Sequence, residues 1–245
     1  MVKGLIANLI LKFSPKKLKQ IFNYEVEYRI EEKLKFSQLS FAQEGEDLVL
    51  NKIFGNQSNG FYIDIGANHP IRFSNTWFFY KKGWRGINIE PNPDMFKLLE
   101  EYRPHDLNLN IGISDVNDTL DYYMFNEPAL NTFSENERDQ YLQKSEYFIQ
   151  NQMRVQVDTL ENVFSKNNIS KNQEIDFMSI DAEGFDLKVL KSFDITIYSP
   201  KVILIEILNI KSFIDVMEDD IYVYLITKNY YLYLRTGNTF IFKKD

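Results

Sequence analysis

The sequence contains no cysteine among its 245 residues. This absence excludes disulfide bonds, thiolate metal sites and cysteine nucleophiles, and it fits a reducing, cytoplasmic location. The sequence also lacks an apolar run long enough to cross a bilayer. No small-residue cleavage site follows the apolar residues near the N-terminus, so we expect no secretory signal.

Positive charge is also in short supply. The chain has 28 Lys and Arg against 35 Asp and Glu, a net charge of −7. Residues 1–40 hold eight basic and four acidic side chains, so the rest of the chain is strongly acidic. Non-specific binding of nucleic acid needs clustered Lys and Arg, and nucleic acid is therefore not an expected partner.

The N-terminal segment differs from the rest in pattern as well as charge. Apolar residues recur at helical spacing within residues 2–13, and lysines follow. The favoured interpretation is a helix that packs on the domain or on a second subunit. The alternative is a basic amphipathic helix on the inner membrane surface. We predict a helical extension over residues 1–39 and a domain over residues 40–245.

Strands and helices alternate along the domain, which predicts a doubly wound α/β fold with a mostly parallel seven-stranded sheet. The chain closes with an antiparallel hairpin, the arrangement of class I methyltransferases rather than of most dehydrogenases. The predicted strands are Phe61–Ile65, Gly86–Glu90, Leu107–Ile113, Leu120–Phe125, Arg154–Val157, Ile175–Ile180, Val202–Ile207, Tyr230–Arg235 and Thr239–Phe242. The predicted helices are Ser40–Phe54, Asn75–Lys82, Pro93–Tyr102, Thr159–Lys166, Phe185–Phe193 and Glu218–Lys228, with loop and helix in residues 128–150.

The turn after the first of these strands has one glycine, Gly66, where a dinucleotide-binding turn has three. A glycine lets backbone N–H groups approach a ligand, but nothing here is positioned to hold a pyrophosphate. Asp64 would repel phosphate and attract an ammonium group, and Glu90 ends the next strand, where an acid binds a ribose diol. S-adenosylmethionine (SAM) carries an ammonium group, a ribose and no phosphate, so the site fits SAM better than NAD. The alternative is a helix cap for Asp64 and a solvated strand end for Glu90.

Four further acids follow two later strands: Asp181, Glu183, Asp186 and Glu206. Carboxylates that converge on one sheet edge repel one another unless a proton or cation lies between them. A hard divalent metal (Mg, Mn or Fe) held by Asp181 and Glu206 is one solution, and it would polarise a substrate hydroxyl. The alternative for Glu183 and Asp186 is to cap the following helix.

His69, in the glycine turn, has three interpretations. It is a general base for a hydroxyl acceptor, a metal ligand or a structural residue.

These residues stand in blocks that resemble the FkbM family of SAM-dependent methyltransferases, in order and with compatible spacing from Ser37 to Ile207. The blocks are AQEGEDLVL (Ala42–Leu50), FYIDIGANHP (Phe61–Pro70), SNT (Ser74–Thr76), GWRGINIEPNP (Gly83–Pro93), LNIGISD (Leu109–Asp115), VDTL (Val157–Leu160), IDFMSIDAEGFDLKVL (Ile175–Leu190) and KVILIE (Lys201–Glu206).

The resemblance implies methyl transfer from SAM to a hydroxyl of a sugar, either nucleotide-activated or a precursor of a capsular or surface polysaccharide. It implies that Asn110 to Gly112 flank the adenine and that Asp181 lies beside the methyl group. The polar segment 126–154 is expected to cover the substrate, with Arg138 or Arg154 meeting a phosphate. The predicted cofactor contacts are Asp64, Gly66, Asn68, Ser74, Glu90, Asn110, Gly112 and Asp181, the catalytic residues are His69, Asp181 and Glu183, and the metal ligands are Asp181 and Glu206.

Three alternatives remain open at this point. The acceptor could be a molecule other than a sugar. The protein could instead be a nicotinamide-binding oxidoreductase, or a glycan-binding module without catalytic activity.

Overall fold

The computed structural model describes Lys35, residues 37–55 and residues 57–245. The chain divides into two compact units, Met1–Leu39 and Ser40–Asp245. The predicted N-terminal helix, with its membrane or subunit contact, lies outside the described residues and stays a prediction. Among the described residues, none of the helices combines the length and apolar character that a membrane crossing needs.

The strands of the second unit are β1 Phe61–Ile65, β2 Arg85–Ile89, β3 Leu107–Leu109, β4 Gly112–Ile113, β5 Asp118–Phe125, β6 Ile149–Asp158, β7 Phe177–Ile180, β8 Val202–Glu206, β9 Tyr230–Thr236 and β10 Thr239–Lys244. Seven of them form a sheet in the order β3-β2-β1-β7-β8-β10-β9. Neighbouring strands from β3 to β8 pair in parallel, and β10 pairs antiparallel with both β8 and β9. The predicted fold class is therefore confirmed.

Helices connect the strands and cover the sheet. They are α1 Glu46–Phe54, α2 Trp77–Lys81, α3 Pro93–Tyr102, α4 Glu135–Tyr141, α5 Leu160–Lys166, α6 Asp186–Lys191, α7 Ile195–Tyr198, α8 Phe213–Glu218 and α9 Asp220–Thr227, with a 3₁₀ turn at Pro128–Leu130. Local sequence explains where several begin. For example, the Asn92 side chain accepts the Asp94 N–H at 2.9 Å, and Pro93 occupies the first helical position.

Strand alternation divides the core between the two faces of the sheet. Ile63 and Ile65 of β1 join the larger apolar cluster, whereas Tyr62 joins Phe79, Trp84 and Phe177 in the smaller one. Successive side chains of a strand point to opposite faces, so Asp64 shares a face with Tyr62. Both faces of β1, β7 and β8 are covered, as expected of central parallel strands.

The predicted strand Leu107–Ile113 is wrong in one respect, because the chain leaves the main sheet at Asn110. Leu107–Leu109 pairs with β2, but Gly112–Ile113 pairs with β6 in a separate three-stranded sheet, β4-β6-β5. The Asn110 side chain donates to the carbonyls of Glu90 and Pro91 at 2.8 and 3.0 Å. These bonds turn the chain out of the sheet.

The predicted helix Ser40–Phe54 is shorter than expected and begins at Glu46. The buried Asp47 side chain accepts the Ser40 hydroxyl at 2.6 Å and the Phe41 N–H at 2.7 Å. The segment before the helix is therefore held by a side chain and not by helical backbone bonds. The other predicted elements match the observed ones to within a few residues, except that β6 extends well beyond Arg154–Val157.

Candidate functional site

A cavity of about 650 Å³ opens at the carboxyl ends of β1, β7 and β8, a volume ordinary for a small-molecule site. It lies where ligands bind in open α/β sheets, because chain connections depart there in opposite directions. Its walls are the turns after β1, β2, β7 and β8, the start of β4, and the segment from the 3₁₀ turn to the residues after α4.

The glycine turn enters this cavity, but its backbone N–H groups are already used. Gly66 and Ala67 donate to the carbonyl of Ile89 at 2.9 and 3.2 Å, and Asn68 donates to Glu90 Oε2 at 2.7 Å. The expectation that this turn offers N–H groups to a ligand is therefore wrong. Gly66 is needed for another reason: its φ is +76°, and a Cβ there would lie 1.8 Å from the carbonyl oxygen of Asp181.

Asp64 lines the cavity and is almost fully buried. Its Oδ2 accepts the hydroxyl of Thr76 at 2.6 Å. Burial raises the pKa of Asp64, while the Thr76 hydrogen bond and the nearby Arg103 lower it. Ser74 also lines the cavity, although its hydroxyl oxygen accepts from Arg103 Nη2 at 2.7 Å.

Glu90 lines the cavity beside Asp64 and joins two loops. Its Oε2 accepts the Asn68 N–H and its Oε1 accepts the Asn92 N–H, each at 2.7 Å. Burial raises the pKa of Glu90 to about 7, and the two backbone hydrogen bonds act against this rise. Each oxygen keeps one lone pair for a further donor. The strand end is therefore buried and not solvated.

The predicted adenine contacts are only partly placed at the cavity. Gly112 lines it between Ile111 and Ile113, and together they form an apolar wall. Asn110 is outside the lining residues, because its side chain holds the backbone after β2.

Three acids meet where the ends of β7 and β8 border the cavity. One carboxylate oxygen from each of Asp181, Glu183 and Glu206 lies within 4.8 Å of the others. Asp181 is exposed to the open cavity, whereas Glu183 and Glu206 are half-buried. The pKa of each is raised, first by loss of solvent around the carboxylate and then by repulsion from a neighbouring acid, which is Asp186 for Asp181 and Asp181 for Glu183 and Glu206. Glu206 Oε2 is buried, and no described residue supplies it with a hydrogen-bond partner. The structure thus adds Glu183 to the predicted metal pair.

Two neighbouring side chains hold the carboxylates of this cluster in place. Asp186 accepts the N–H groups of Ala182 and Gly184 at 3.0 and 3.1 Å and so holds the turn that carries Glu183. The Tyr141 hydroxyl donates to Glu183 Oε2. Tyr141 lines the cavity, and the sequence pattern did not reveal it, because residues 128–150 show no clear strand or helix periodicity.

His69 lies in the turn but outside the lining of the cavity. Its Nδ1 accepts the N–H groups of Ile71 and Arg72 at 3.1 and 3.0 Å. Burial and the charge of Arg72 lower its pKa. Of the three interpretations of His69, the geometry favours the structural one, and neither the base nor the ligand role has support.

Residues of the polar segment after β5 line one wall of the cavity, but the arginines of this segment do not. Arg138 pairs with Asp139 at 2.7 Å and donates to the Tyr123 hydroxyl at 2.8 Å, while Arg154 donates to the Thr119 carbonyl at 2.6 Å. Neither lines the cavity. The lining residues from this wall include Asn131, Glu137, Gln140, Tyr141 and Lys144.

Comparison with known proteins adds to this picture. The model of the Methyltransferase FkbM domain matches residues 64–233. Among solved structures, the chain is similar to Methyltransferase FkbM from Methylobacillus flagellatus KT, with 14% identity and a TM-score of 0.48, over 76% of this chain and 44% of that one. The chain thus spans less than half the length of that protein.

A second solved structure is a TehB-like SAM-dependent methyltransferase from Corynebacterium glutamicum ATCC 13032 Kitasato. It has 10% identity and a TM-score of 0.39, over 91% of this chain and 97% of that one. No curated protein matches the chain.

Proposed function

Because the chain belongs to the FkbM methyltransferase family, we propose that it transfers a methyl group from SAM to a hydroxyl of a sugar. The observation that carries the proposal is the pair of buried carboxyls, Asp64 and Glu90, at the ends of adjacent strands in one cavity. SAM offers a donor to each: an ammonium for Asp64 and ribose hydroxyls for Glu90.

The use of the turn's N–H groups supports SAM over a dinucleotide. A pyrophosphate needs free backbone donors at the glycine turn, and those of Gly66, Ala67 and Asn68 are taken. Among the described residues that line the cavity, six carry carboxyl groups and one, Lys144, is basic. An adenine would lie against the apolar wall of residues 111–113.

Methyl transfer asks little covalent chemistry of the protein. The sulfonium is a good leaving group, so the residues must hold the acceptor oxygen in line and take its proton. Asp181 and Glu183 line the cavity. With no cation bound to them, Asp181 would be the base, because its pKa is raised to about 7, where a carboxylate takes a proton more readily.

A divalent cation fits the three-acid cluster. Glu206 Oε2 is a buried oxygen that receives no hydrogen bond from the described part of the chain, and carboxylate oxygens are the ligands that Mg²⁺, Mn²⁺ and Fe²⁺ accept. Asp181, Glu183 and Glu206 would hold the ion, and the bound ion would lower the pKa of the acceptor hydroxyl.

The metal proposal is tested by removing cations with a chelator and adding back Mg²⁺, Mn²⁺ or Fe²⁺. We expect activity to fall by at least tenfold and to return with one of these ions. Glu206→Gln should respond weakly to added metal, because it loses one of three charged ligands. Full activity in the chelator would contradict the proposal.

The acceptor is proposed to be a sugar because amide, carboxyl and hydroxyl groups line its side of the cavity. With Arg138 and Arg154 engaged elsewhere, a sugar without phosphate in the cavity fits better than the phosphates of a nucleotide-activated sugar. The same charge pattern is compatible with a polysaccharide precursor whose phosphate lies outside.

The proposed function is tested by incubating the intact chain with SAM and matched pairs of sugars, free and nucleotide-linked. Mass spectrometry should detect the gain of one methyl group in place of a hydrogen on a free sugar or glycoside. Methylation of a non-sugar acceptor alone would replace the sugar assignment. Binding of NAD(P)H without binding of SAM would overturn the whole proposal.

A further inference from the structure

We propose that Thr76 and Arg103 are positioning residues that fix the orientation of Asp64 toward the ammonium group of the cofactor. The inference rests on the proposed function for the identity of that cofactor. Neither residue lines the cavity, so both act through Asp64.

The Arg103 side chain is fully buried, which is rare for a guanidinium and requires that its donors be used. Nη1 donates to Thr76 Oγ1 at 2.8 Å, and Nη2 donates to Ser74 Oγ and the Pro70 carbonyl, each at 2.7 Å. Nε also donates to Pro70, at 3.2 Å. One cation therefore ties the loop after the glycine turn to the start of α2.

The direction of these bonds determines where the Thr76 proton points. A guanidinium can only donate, so the Thr76 oxygen must accept from Arg103. A carboxylate can only accept, so the Thr76 hydroxyl donates to Asp64 Oδ2, 2.6 Å away. Both hydrogen bonds in this series therefore point the same way: Arg103 donates to Thr76, and Thr76 donates to Asp64.

These hydrogen bonds occupy Oδ2 of Asp64 and leave its Oδ1 available to a ligand in the cavity. Within residues 57–245, Oδ2 is held by Thr76, and no hydrogen bond to Oδ1 is seen. The buried charges also match a cationic ligand. Arg103 is near two buried acids, Asp64 through Thr76 and Asp106 at 3.8 Å. One guanidinium charge cannot balance two carboxylate charges, and the ammonium group of a ligand at Asp64 would supply the second positive charge.

The test separates the ammonium end of the cofactor from its adenosine end. Binding of S-adenosylhomocysteine, which has the amino acid portion, is compared by calorimetry with binding of 5′-methylthioadenosine, which lacks it. Thr76→Val removes the hydroxyl at similar size, and Thr76→Ser retains it. Asp64→Asn serves as the reference for loss of the carboxylate charge.

We expect Thr76→Val to weaken S-adenosylhomocysteine binding about tenfold or more, as for loss of a hydrogen bond to a charged group. Binding of 5′-methylthioadenosine should change by less than about threefold. Asp64→Asn should show the same selectivity, and Thr76→Ser should recover most of the affinity. Thr76→Ala provides a second variant without the hydroxyl if the valine variant does not fold.

Equal losses for both ligands, or no loss for either, would overturn the inference and leave the cofactor assignment intact. Failure of the unmodified chain to bind S-adenosylhomocysteine would instead overturn the proposed function.

Discussion

At the scale of single residues, the site depends on positions where the backbone and a side chain approach closely. Gly66 is the clearest case, because its left-handed φ and the nearby Asp181 carbonyl both exclude a Cβ. Beside this position the Asp181 N–H donates to the Ile65 carbonyl at 3.0 Å, so β1 and the end of β7, which carry Asp64 and Asp181, are joined next to Gly66.

Gly66→Ala should therefore destabilise the protein by about 4 kcal/mol, because backbone strain and a steric clash add together. Gly45→Ala is the matched control, since Gly45 has a φ of +89° but nothing within 4 Å of its Cβ position. Strain alone should cost it roughly 1 kcal/mol. Urea denaturation measures both free energies of unfolding, and equal losses would contradict the role given to the Asp181 carbonyl.

At the scale of elements, the site depends on a break that strand periodicity does not reveal. Leu107 to Ile113 has the apolar pattern of one strand, yet the chain changes sheets at Asn110. The Asn110 amide holds the loop after β2 in place, and this loop carries Glu90. The end of β3 thus positions Glu90, the residue predicted to bind the ribose hydroxyls.

Asn110→Ala should lower the free energy of unfolding by about 1 to 2 kcal/mol and weaken S-adenosylhomocysteine binding several-fold. Asn126→Ala is the matched control. Its amide donates to the Glu146 carbonyl at 3.1 Å and accepts the Phe148 N–H at 2.9 Å, away from the lining residues. It should lose comparable stability and keep its affinity. Equal loss of affinity in both variants would contradict the prediction, because it would show that any destabilised loop weakens binding.

At the scale of the whole molecule, the acidic cavity opposes stability at neutral pH. Burial raises the pKa of the cavity carboxyls Asp64 and Glu90. A carboxyl with a raised pKa binds more protons in the folded state than in the unfolded state. Stability is therefore lost as pH rises between the two values. Ligand cations should offset this loss.

The contribution of one carboxyl can be isolated with Glu90→Gln. The pKa of Glu90 rises from its ordinary 4.5 to about 7, so its penalty develops across that interval. The variant should gain stability relative to the unmodified protein as pH rises from about 5 to about 7.5, by on the order of 2 kcal/mol. Urea denaturation at both pH values measures the difference. A difference that does not change with pH would contradict the raised pKa.

The sequence by itself determined the alternation of strands and helices, the closing hairpin, and the family. It also identified Asp64 and Glu90, because each stands at the end of an apolar strand and needs only local pattern to be recognised. These features depend on residues close together in the chain.

Only the tertiary structure decided which side chains meet. It brought Glu206 to Asp181 and Tyr141 to Glu183, buried Arg103 behind Thr76, and gave the N–H groups of the glycine turn to Ile89 and Glu90. These contacts join residues distant in the chain. Periodicity reports the face on which a residue lies, and not the atom that it contacts.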